Sequence, residues 1–268
     1  MTINLNRISK AAFVSAIFCT SSPFVSADEA QLADMSDPMA VFDQLGGGIS
    51  DRGINIKYGQ MYDTNSDVTM GMNIVEVKGI AGGMLGWSDT VKPDDSIDSV
   101  RFRNFNGNIT NGRGKQIDVN YDVERESLDA SYSVMQALPP LKNFNLYPFA
   151  GVGVNVQNNA IDTYQNGQAV VDSGYSIPGV FGQIGMYSKL AVTDKIWLNY
   201  NPMFLTTIGG SDFYKNNAYG LGKSNITMHE LIASYQVNPR LNFRYFANFS
   251  DEVSFRDGQH RLEFNYQF

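Results

Sequence analysis

Residues 260–268, His-Arg-Leu-Glu-Phe-Asn-Tyr-Gln-Phe, alternate between polar and apolar side chains from Arg261 onward. Successive side chains of a β-strand point to opposite faces, so this stretch predicts a strand with one apolar, mainly aromatic face and one polar face. A soluble sandwich with a solvated polar face can contain such a strand, but an ending on Tyr-x-Phe is rare there and favours a membrane barrel with a polar lumen. The apolar face comprises Leu262, Phe264, Tyr266 and Phe268, and the polar face comprises Arg261, Glu263, Asn265 and Gln267.

The same period-2 pattern recurs along most of the chain. It is clearest around 116–123, where Ile117, Val119 and Tyr121 alternate with polar residues. About twelve segments read as strands, and the third of them is rich in glycine, which weakens a strand. The predicted strands cover residues 54–58, 70–77, 79–87, 100–110, 116–123, 128–134, 146–156, 179–190, 196–206, 226–236, 241–249 and 260–268.

The first 27 residues read as a secretory signal peptide. Arg7 and Lys10 form a basic start, a short apolar run follows, and Val25-Ser26-Ala27 predicts cleavage after Ala27. The signal contains two of the 20 Lys and Arg residues and none of the 27 Asp and Glu, so the predicted mature chain has a net charge of −9. This charge argues against nucleic acid as a partner, because phosphate binding requires a basic surface.

Residues 28–53 predict a periplasmic segment with a short helix. Ser36-Asp37-Pro38 is typical of a helix start, and Gly46-Gly47-Gly48 of a helix end. About two turns of helix are too short to be stable alone. We therefore expect the helix to pack on the rim of the sheet structure, with a partial plug or an interfacial helix as the alternatives.

The connections between the predicted strands alternate in length. Counting back from the end of the chain, long polar loops at 250–259, 207–223 and 157–175 alternate with shorter turns such as 237–240 and 192–195. Long loops on one side and short turns on the other are typical of bacterial outer-membrane barrels. The connection at 124–126 departs from this pattern, because it is short for an extracellular loop.

Together, the export signal, the alternating strands, the connection lengths and the final Tyr266-Gln267-Phe268 resemble a small Gram-negative outer-membrane barrel of the OmpA-transmembrane or porin-like type. The resemblance spans 54–268 and implies an all-β, antiparallel transmembrane β-barrel of about 10–12 strands, with eight as the fallback, preceded by the short N-terminal helix. It implies an outer-membrane location, with lipid and lipopolysaccharide as surroundings. Periplasmic chaperones and the barrel assembly machinery, which reads Tyr266 and Phe268 as a C-terminal signal, are the implied partners in biogenesis.

The sequence offers no convincing catalytic, metal or cofactor site. His229 and Glu230 are adjacent, so on a strand they point to opposite faces and cannot form a dyad. His229 shares a face with Leu231, which we expect to be the lipid face, and His260 is expected at the solvated rim. Asp94-Asp95 and Asp251-Glu252 read as solvated loop charges, and we expect no enzyme activity and no cofactor.

The polar face of the strands is the candidate functional surface. If the apolar faces meet lipid, the charged residues of both signs point into the lumen, where they form either a closed, ion-paired interior or the lining of a water-filled channel. We therefore expect a small porin-like channel for solutes or ions, or a structural or surface barrel. A lipid-modifying enzyme and a surface receptor without channel activity are the alternatives. The lumen-lining candidates are Lys57, Arg101, Arg103, Asp118, Asp122, Asp129, Glu230, Arg244, Arg261 and Glu263.

Overall fold

The computed structural model describes residues 32–88 and 94–268, which form a closed antiparallel barrel of twelve strands. The predicted signal peptide and the cleavage site at Ala27 lie outside the described residues. The barrel strands are β1 Gln44–Ser50, β2 Gly53–Tyr62, β3 Thr69–Ile80, β4 Ser99–Asn108, β5 Arg113–Asp122, β6 Ser127–Gln136, β7 Phe144–Asn158, β10 Tyr175–Ala191, β11 Ile196–Gly210, β12 Asn225–Asn238, β13 Leu241–Ser250 and β14 Gln259–Gln267.

Three small elements lie between the barrel strands. A separate hairpin of β8 Ile161–Gln165 and β9 Gln168–Val171 follows β7. The helix α1 Gly82–Leu85 follows β3, and α2 Asp212–Asn217 follows β11. Within the described residues, no helix has the length and apolar character needed to cross a membrane.

The first strand closes the barrel. β1 pairs with β2 on one side and with β14 on the other, with Gln44 opposite Gln267 and Ser50 opposite Arg261. Closure gives every barrel strand two hydrogen-bonded neighbours, which leaves no open sheet edge, as a barrel in lipid requires. Twelve strands fall within the predicted range of 10–12, and the fallback of eight was wrong.

The outer surface of the barrel is apolar, as the alternation predicts. Residues of the apolar face remain exposed in the structure, whereas their polar neighbours on the same strands are buried or partly buried. An exposed apolar belt around a closed barrel is the arrangement that lipid stabilises. The belt includes Leu45, Ile56, Tyr58, Phe102, Ile117, Tyr132, Val152, Ile184, Leu198, Leu231, Phe243, Leu262 and Phe264.

The predicted N-terminal helix is absent from the described residues. Residues 34–40 form turns, in which the amide of Asp37 donates to the carbonyl of Asp34 and the amide of Ala40 to that of Asp37, both at 3.0 Å. The three glycines of 46–48 do not end a helix but lie inside β1. The barrel therefore begins at residue 44, ten residues before the predicted start at 54.

Crowding from the two neighbouring strands explains the glycines of β1. A Cβ atom on Gly46 would lie 2.8 Å from Lys57 Cε and 2.9 Å from Asn265 Oδ1. A Cβ atom on Gly48 would overlap the backbone carbonyl of Leu262. The seam between β1 and β14 therefore favours residues without side chains, a requirement set by distant parts of the chain.

The predicted strand at 79–87 was also wrong. β3 ends at Ile80, because Gly79 and Ala81 adopt left-handed backbone angles with φ of 82° and 55°, and α1 then begins at Gly82. The other eleven predicted segments correspond to barrel strands. β1 supplies the twelfth strand, and the sequence pattern did not predict the hairpin β8–β9 inside the loop at 157–175.

The two ends of the barrel differ. We call the end where β1 begins and β14 finishes the terminal end, and the opposite end the loop end. The loop end carries the long connections 81–98, 159–174, 211–224 and 251–258, together with tight turns at 51–52 and 123–126. The connections at the terminal end are 63–68, 109–112, 137–143, 192–195 and 239–240.

Candidate functional site: the barrel interior

The structure brings most of the candidate lumen residues together on one side of the interior. Lys57 lies opposite Glu76, Glu76 opposite Arg101, and Arg103 opposite Asp118 in the strand register. These positions and their neighbours on β13 and β14 form one charged surface. We call it the charged arc: Lys57, Glu76, Lys78, Arg101, Arg103, Asp118, Arg244, Arg261 and Glu263.

Ion pairs connect most members of the charged arc. Both oxygens of the Asp118 carboxylate accept from Arg101, which is the two-pronged geometry of a strong charge-assisted contact. Glu76 binds Arg103 and lies 3.4 Å from Lys78 Nζ.

A second group of ion pairs centres on Glu263. The Lys57 ammonium lies 3.5 Å from Glu263 Oε2, and Arg261 Nε lies 2.5 Å from Oε1 of the same carboxylate. The paired residues are partly or largely shielded from water, with side-chain exposures of 8–31%.

Arg244 differs from the other cations of the charged arc. Its guanidinium donates from Nε to Ser234 Oγ at 3.2 Å and lies 3.5 Å from Asn199 Oδ1. No carboxylate of the described residues lies within ion-pairing distance of it. Arg244 and Arg261 both lie over the ring of Phe246, at 5.0 and 4.1 Å from its centroid. The ring thus holds two guanidinium groups close to each other without neutralising either.

The charged arc has an excess of positive charge. Its six cations face three carboxylates, and every carboxylate is already paired. Glu76 and Lys78 belong to this arc but were not among the predicted candidates. They follow the buried apolar residues Met72 and Ile74 on the same inward face of β3. The first half of this inner face is therefore apolar and lacks the polar signal on which the prediction depended.

The remaining candidates, Glu230, Asp129 and Asp122, do not join the ion pairs of the charged arc. Glu230 accepts from Asn201 at 2.8 Å, and Asp129 accepts from Asn155 at 2.7 Å. Asp122 accepts from the backbone amide of Arg125 at 2.9 Å and so stabilises the tight turn after β5. These three carboxylates are bound by neutral donors and lie apart from the ion pairs of the charged arc.

The terminal end of the lumen is crossed by residues 32–43, which we call the N-terminal segment. Lys189 on β10 donates to Asp34 Oδ2 at 3.0 Å, and the hydroxyl of Tyr147 on β7 donates to Asp37 Oδ1 at 3.0 Å. On the opposite wall, the amide of Ala33 donates to Gln267 Oε1, and Gln267 Nε2 donates back to the carbonyl of Ala33.

Apolar side chains of the N-terminal segment fill the space between these polar contacts. Val41 packs with Met72 and Ile74, and Phe105 contacts this cluster. Met35 is buried near Gln236 and Asn242, on β12 and β13. The N-terminal segment therefore contacts strands on several sides of the barrel and obstructs this mouth. Of the predicted alternatives for 28–53, a plug matches this placement, although without a helix.

The histidines lie outside the lumen. His229 faces outward between Tyr200 and Phe249, and its Nδ1 is 2.9 Å from the Tyr200 hydroxyl. His260 makes the equivalent contact with the Tyr245 hydroxyl at 2.7 Å. Neither contact is the serine–histidine arrangement of a nucleophilic enzyme. Residues 32–88 and 94–268 also contain no group of three or more His, Cys, Asp and Glu side chains arranged to hold a metal.

Comparison with solved structures places this architecture among outer-membrane β-barrels. A structure of the NanC porin aligns with a TM-score of 0.51 and 7% identity, covering 84% of this chain and all of that chain. An outer-membrane channel from Pseudomonas putida F1 aligns with a TM-score of 0.55 and 7% identity, covering 88% and 98% of the two chains. No protein-family model and no curated protein sequence matches the chain. The similarity establishes the fold, which is that of outer-membrane porins and channels.

Proposed function

We propose that the protein is a porin-like channel of the Gram-negative outer membrane that passes small solutes and favours anions. The supporting observation is the charged arc, whose six cations exceed its three carboxylates. Charged side chains that line a pore set its ion selectivity. A barrel of twelve strands is wider than the roughly eight-stranded barrels that side chains fill, and narrower than porins of about 16–18 strands.

Arg244 and Arg261 are the residues we expect to act most directly on a passing anion. Among residues 32–88 and 94–268, Arg244 has no carboxylate partner, and Arg261 shares Glu263 with Lys57. Fixed positive charge in a partly shielded lumen attracts anions more strongly than the same charge at a fully exposed surface. The cations that are bound one-to-one, such as Arg101, contribute mainly to the rigidity of the wall.

The N-terminal segment implies that conduction is gated. In the structure it lies across the terminal mouth, so the proposed conducting state requires this segment to shift within the lumen or to leave it. Its contacts are a few hydrogen bonds, one ion pair and a small apolar cluster. Contacts of this number permit local opening without unfolding the barrel.

Swelling of proteoliposomes tests the proposed anion preference. Vesicles containing the refolded barrel and the potassium carrier valinomycin swell in potassium chloride at a rate limited by chloride entry, whereas swelling in arabinose reports the pore width alone. We expect the variant Arg244→Gln/Arg261→Gln to slow chloride-limited swelling by about threefold while arabinose entry is unchanged, since loss of two fixed charges changes the energy of an ion by on the order of 1 kcal/mol.

Arg256→Gln is the matched control, because it removes a positive charge from the exposed loop after β13. It should leave chloride-limited swelling as in the unaltered protein. Equal chloride-limited rates for the double variant and the unaltered protein would contradict the proposal.

A further inference from the structure

A cavity of about 150 Å³ lies inside the barrel between the N-terminal segment and the charged arc. One wall of the cavity is apolar, and the other is rich in cationic and amide side chains. The apolar wall includes Met39, Val41, Met72, Ile74, Phe105 and Met135, and the polar wall includes Lys57, Arg103, Arg244, Asn242 and Asn265.

Two buried polar atoms among the lining residues have no partner in the described part of the chain: the donor Arg103 Nε and the acceptor Asn265 Oδ1. Asn265 is only 3% exposed. Buried polar groups in folded proteins nearly always have hydrogen-bond partners. The unpaired donor Arg103 Nε on the cavity wall therefore points to an occupant that carries a hydrogen-bond acceptor.

The charged side chains around the cavity indicate the charge of that occupant. Arg103 is paired with Glu76 and Lys57 with Glu263, but Arg244 has only neutral partners. Asp37 of the N-terminal segment also lines the cavity, and its Oδ1 already accepts from the Tyr147 hydroxyl and the Met39 amide. Asp37 is thus already bound by two donors, whereas the Arg244 guanidinium keeps a positive charge that a carboxylate would pair with, in the two-pronged geometry that guanidinium groups favour.

We propose that this cavity is a binding site for a small amphipathic carboxylate of about the size of benzoate. The carboxylate lies toward Arg244 and Arg103, and the apolar part lies against Ile74, Met72 and Val41. A cavity of roughly 150 Å³ accommodates a benzene ring. Small-molecule sites combine apolar walls with polar groups at fixed positions, and this cavity contains both. This inference rests on the proposed passage of anions, and it names small amphipathic carboxylates as one class of anion that the barrel binds.

Because the N-terminal segment forms part of the wall, an occupant of the cavity contacts the barrel and this segment together. Met39 and Val41 belong to the segment, whereas Arg244 belongs to β13. The site is therefore complete only while the terminal mouth is closed.

Calorimetric titration of the refolded protein in detergent tests the site, with sodium benzoate as the probe and benzamide as its uncharged analogue at constant ionic strength. We expect saturable binding of benzoate and about tenfold weaker binding of benzamide, because the uncharged amide cannot form the charge-assisted hydrogen bonds of the carboxylate. Arg244→Gln should weaken benzoate binding by about tenfold and leave benzamide unchanged. The matched control Arg256→Gln should bind benzoate like the unaltered protein.

A second variant, Ile74→Phe, fills the apolar end of the cavity and should abolish binding of both compounds. Heat-modifiable gel migration checks that each variant has folded. Absence of saturable benzoate binding to the unaltered protein, or equal binding by Arg244→Gln, would overturn the proposed site.

The outcomes for the site and for the channel are separable. Benzoate binding with no chloride-limited swelling would refute the channel and leave the binding site. Chloride-limited swelling without benzoate binding would refute the site and leave the channel.

Discussion

At the scale of single residues, Asp34 holds the N-terminal segment to the barrel through one charged contact. Its Oδ2 accepts from the Lys189 ammonium at 3.0 Å, and its Oδ1 accepts from the amide and the hydroxyl of Ser36. Burial alone would raise the pKa of Asp34, but the hydrogen bonds from Ser36 and Lys189 outweigh burial and hold this pKa below its usual value of 3.8. The contact with Lys189 is therefore complete at neutral pH.

This pKa shift predicts acid opening of the terminal mouth. A carboxylate with a lowered folded-state pKa stabilises its contact above its ordinary pKa, and the stabilisation is lost as pH falls through the lowered value. We expect single-channel recordings to show a higher open probability at about pH 3 than at pH 7. Asp34→Asn should already open more often at pH 7 and should lose most of the rise on acidification.

The control for this prediction is Asp212→Asn, which changes an exposed carboxylate in α2 that pairs with Lys215. It should retain the acid response of the unaltered protein, including any part due to lumen carboxylates. An Asp34→Asn variant with the same pH dependence as the unaltered protein would contradict the assigned role of the Asp34 contact.

At the scale of elements, β1 decides whether the barrel closes. It has only seven residues, and it joins β2 to β14 at a seam where glycine is required by close approach of both neighbours. We expect Gly48→Val to destabilise the folded barrel by about 1–3 kcal/mol, the usual cost of overpacking, or to prevent closure. Urea unfolding followed by heat-modifiable gel migration measures this loss.

Gly182→Ala in β10 is the matched control, because its added Cβ would meet only Ile208 Cγ2 at 3.5 Å, an ordinary contact. Its unfolding midpoint should be close to that of the unaltered protein. A Gly48→Val barrel as stable as Gly182→Ala would show that the seam does not depend on glycine in the way we describe.

The same seam explains an error of sequence interpretation. A run of three glycines after Met39, Phe42 and Leu45 is locally typical of a helix that stops. The reason for these glycines lies in Lys57, Leu262 and Asn265, which are close in space and distant in sequence. Local patterns carry no information about such neighbours, so the helix was predicted where the chain forms a plug and then a closing strand.

At the scale of the whole molecule, the alternation of polar and apolar residues was sufficient to predict an antiparallel β-barrel. Apolar and polar residues alternate strictly over 116–122 of β5 and 261–267 of β14, and the structure exposes the apolar face on the outside of a closed barrel. Strand β3 was harder to interpret, because buried Met72 and Ile74 make half of its inner face apolar. Glu76 was therefore missed, although it binds Arg103.

The ion pairs inside the lumen could not be predicted from the sequence. The candidates were charged residues on an inward face, which a period of two identifies. Strand register alone does not reveal which of them form pairs: Arg103 lies opposite Asp118 but binds Glu76, and Arg244 lies opposite Glu263 without pairing with it. The pairs depend on how the side chains extend inside the folded barrel, so the excess of cations in the charged arc emerges only from the three-dimensional structure.

The reversal potential of the refolded barrel in a planar bilayer, under a gradient of potassium chloride, tests the proposed anion-favouring channel most directly. A lumen controlled by the charged arc predicts discrete current steps whose reversal potential has the sign of chloride selectivity. The sign of potassium selectivity, or a folded barrel that stays silent even with Asp34→Asn, would contradict the proposed anion-favouring channel.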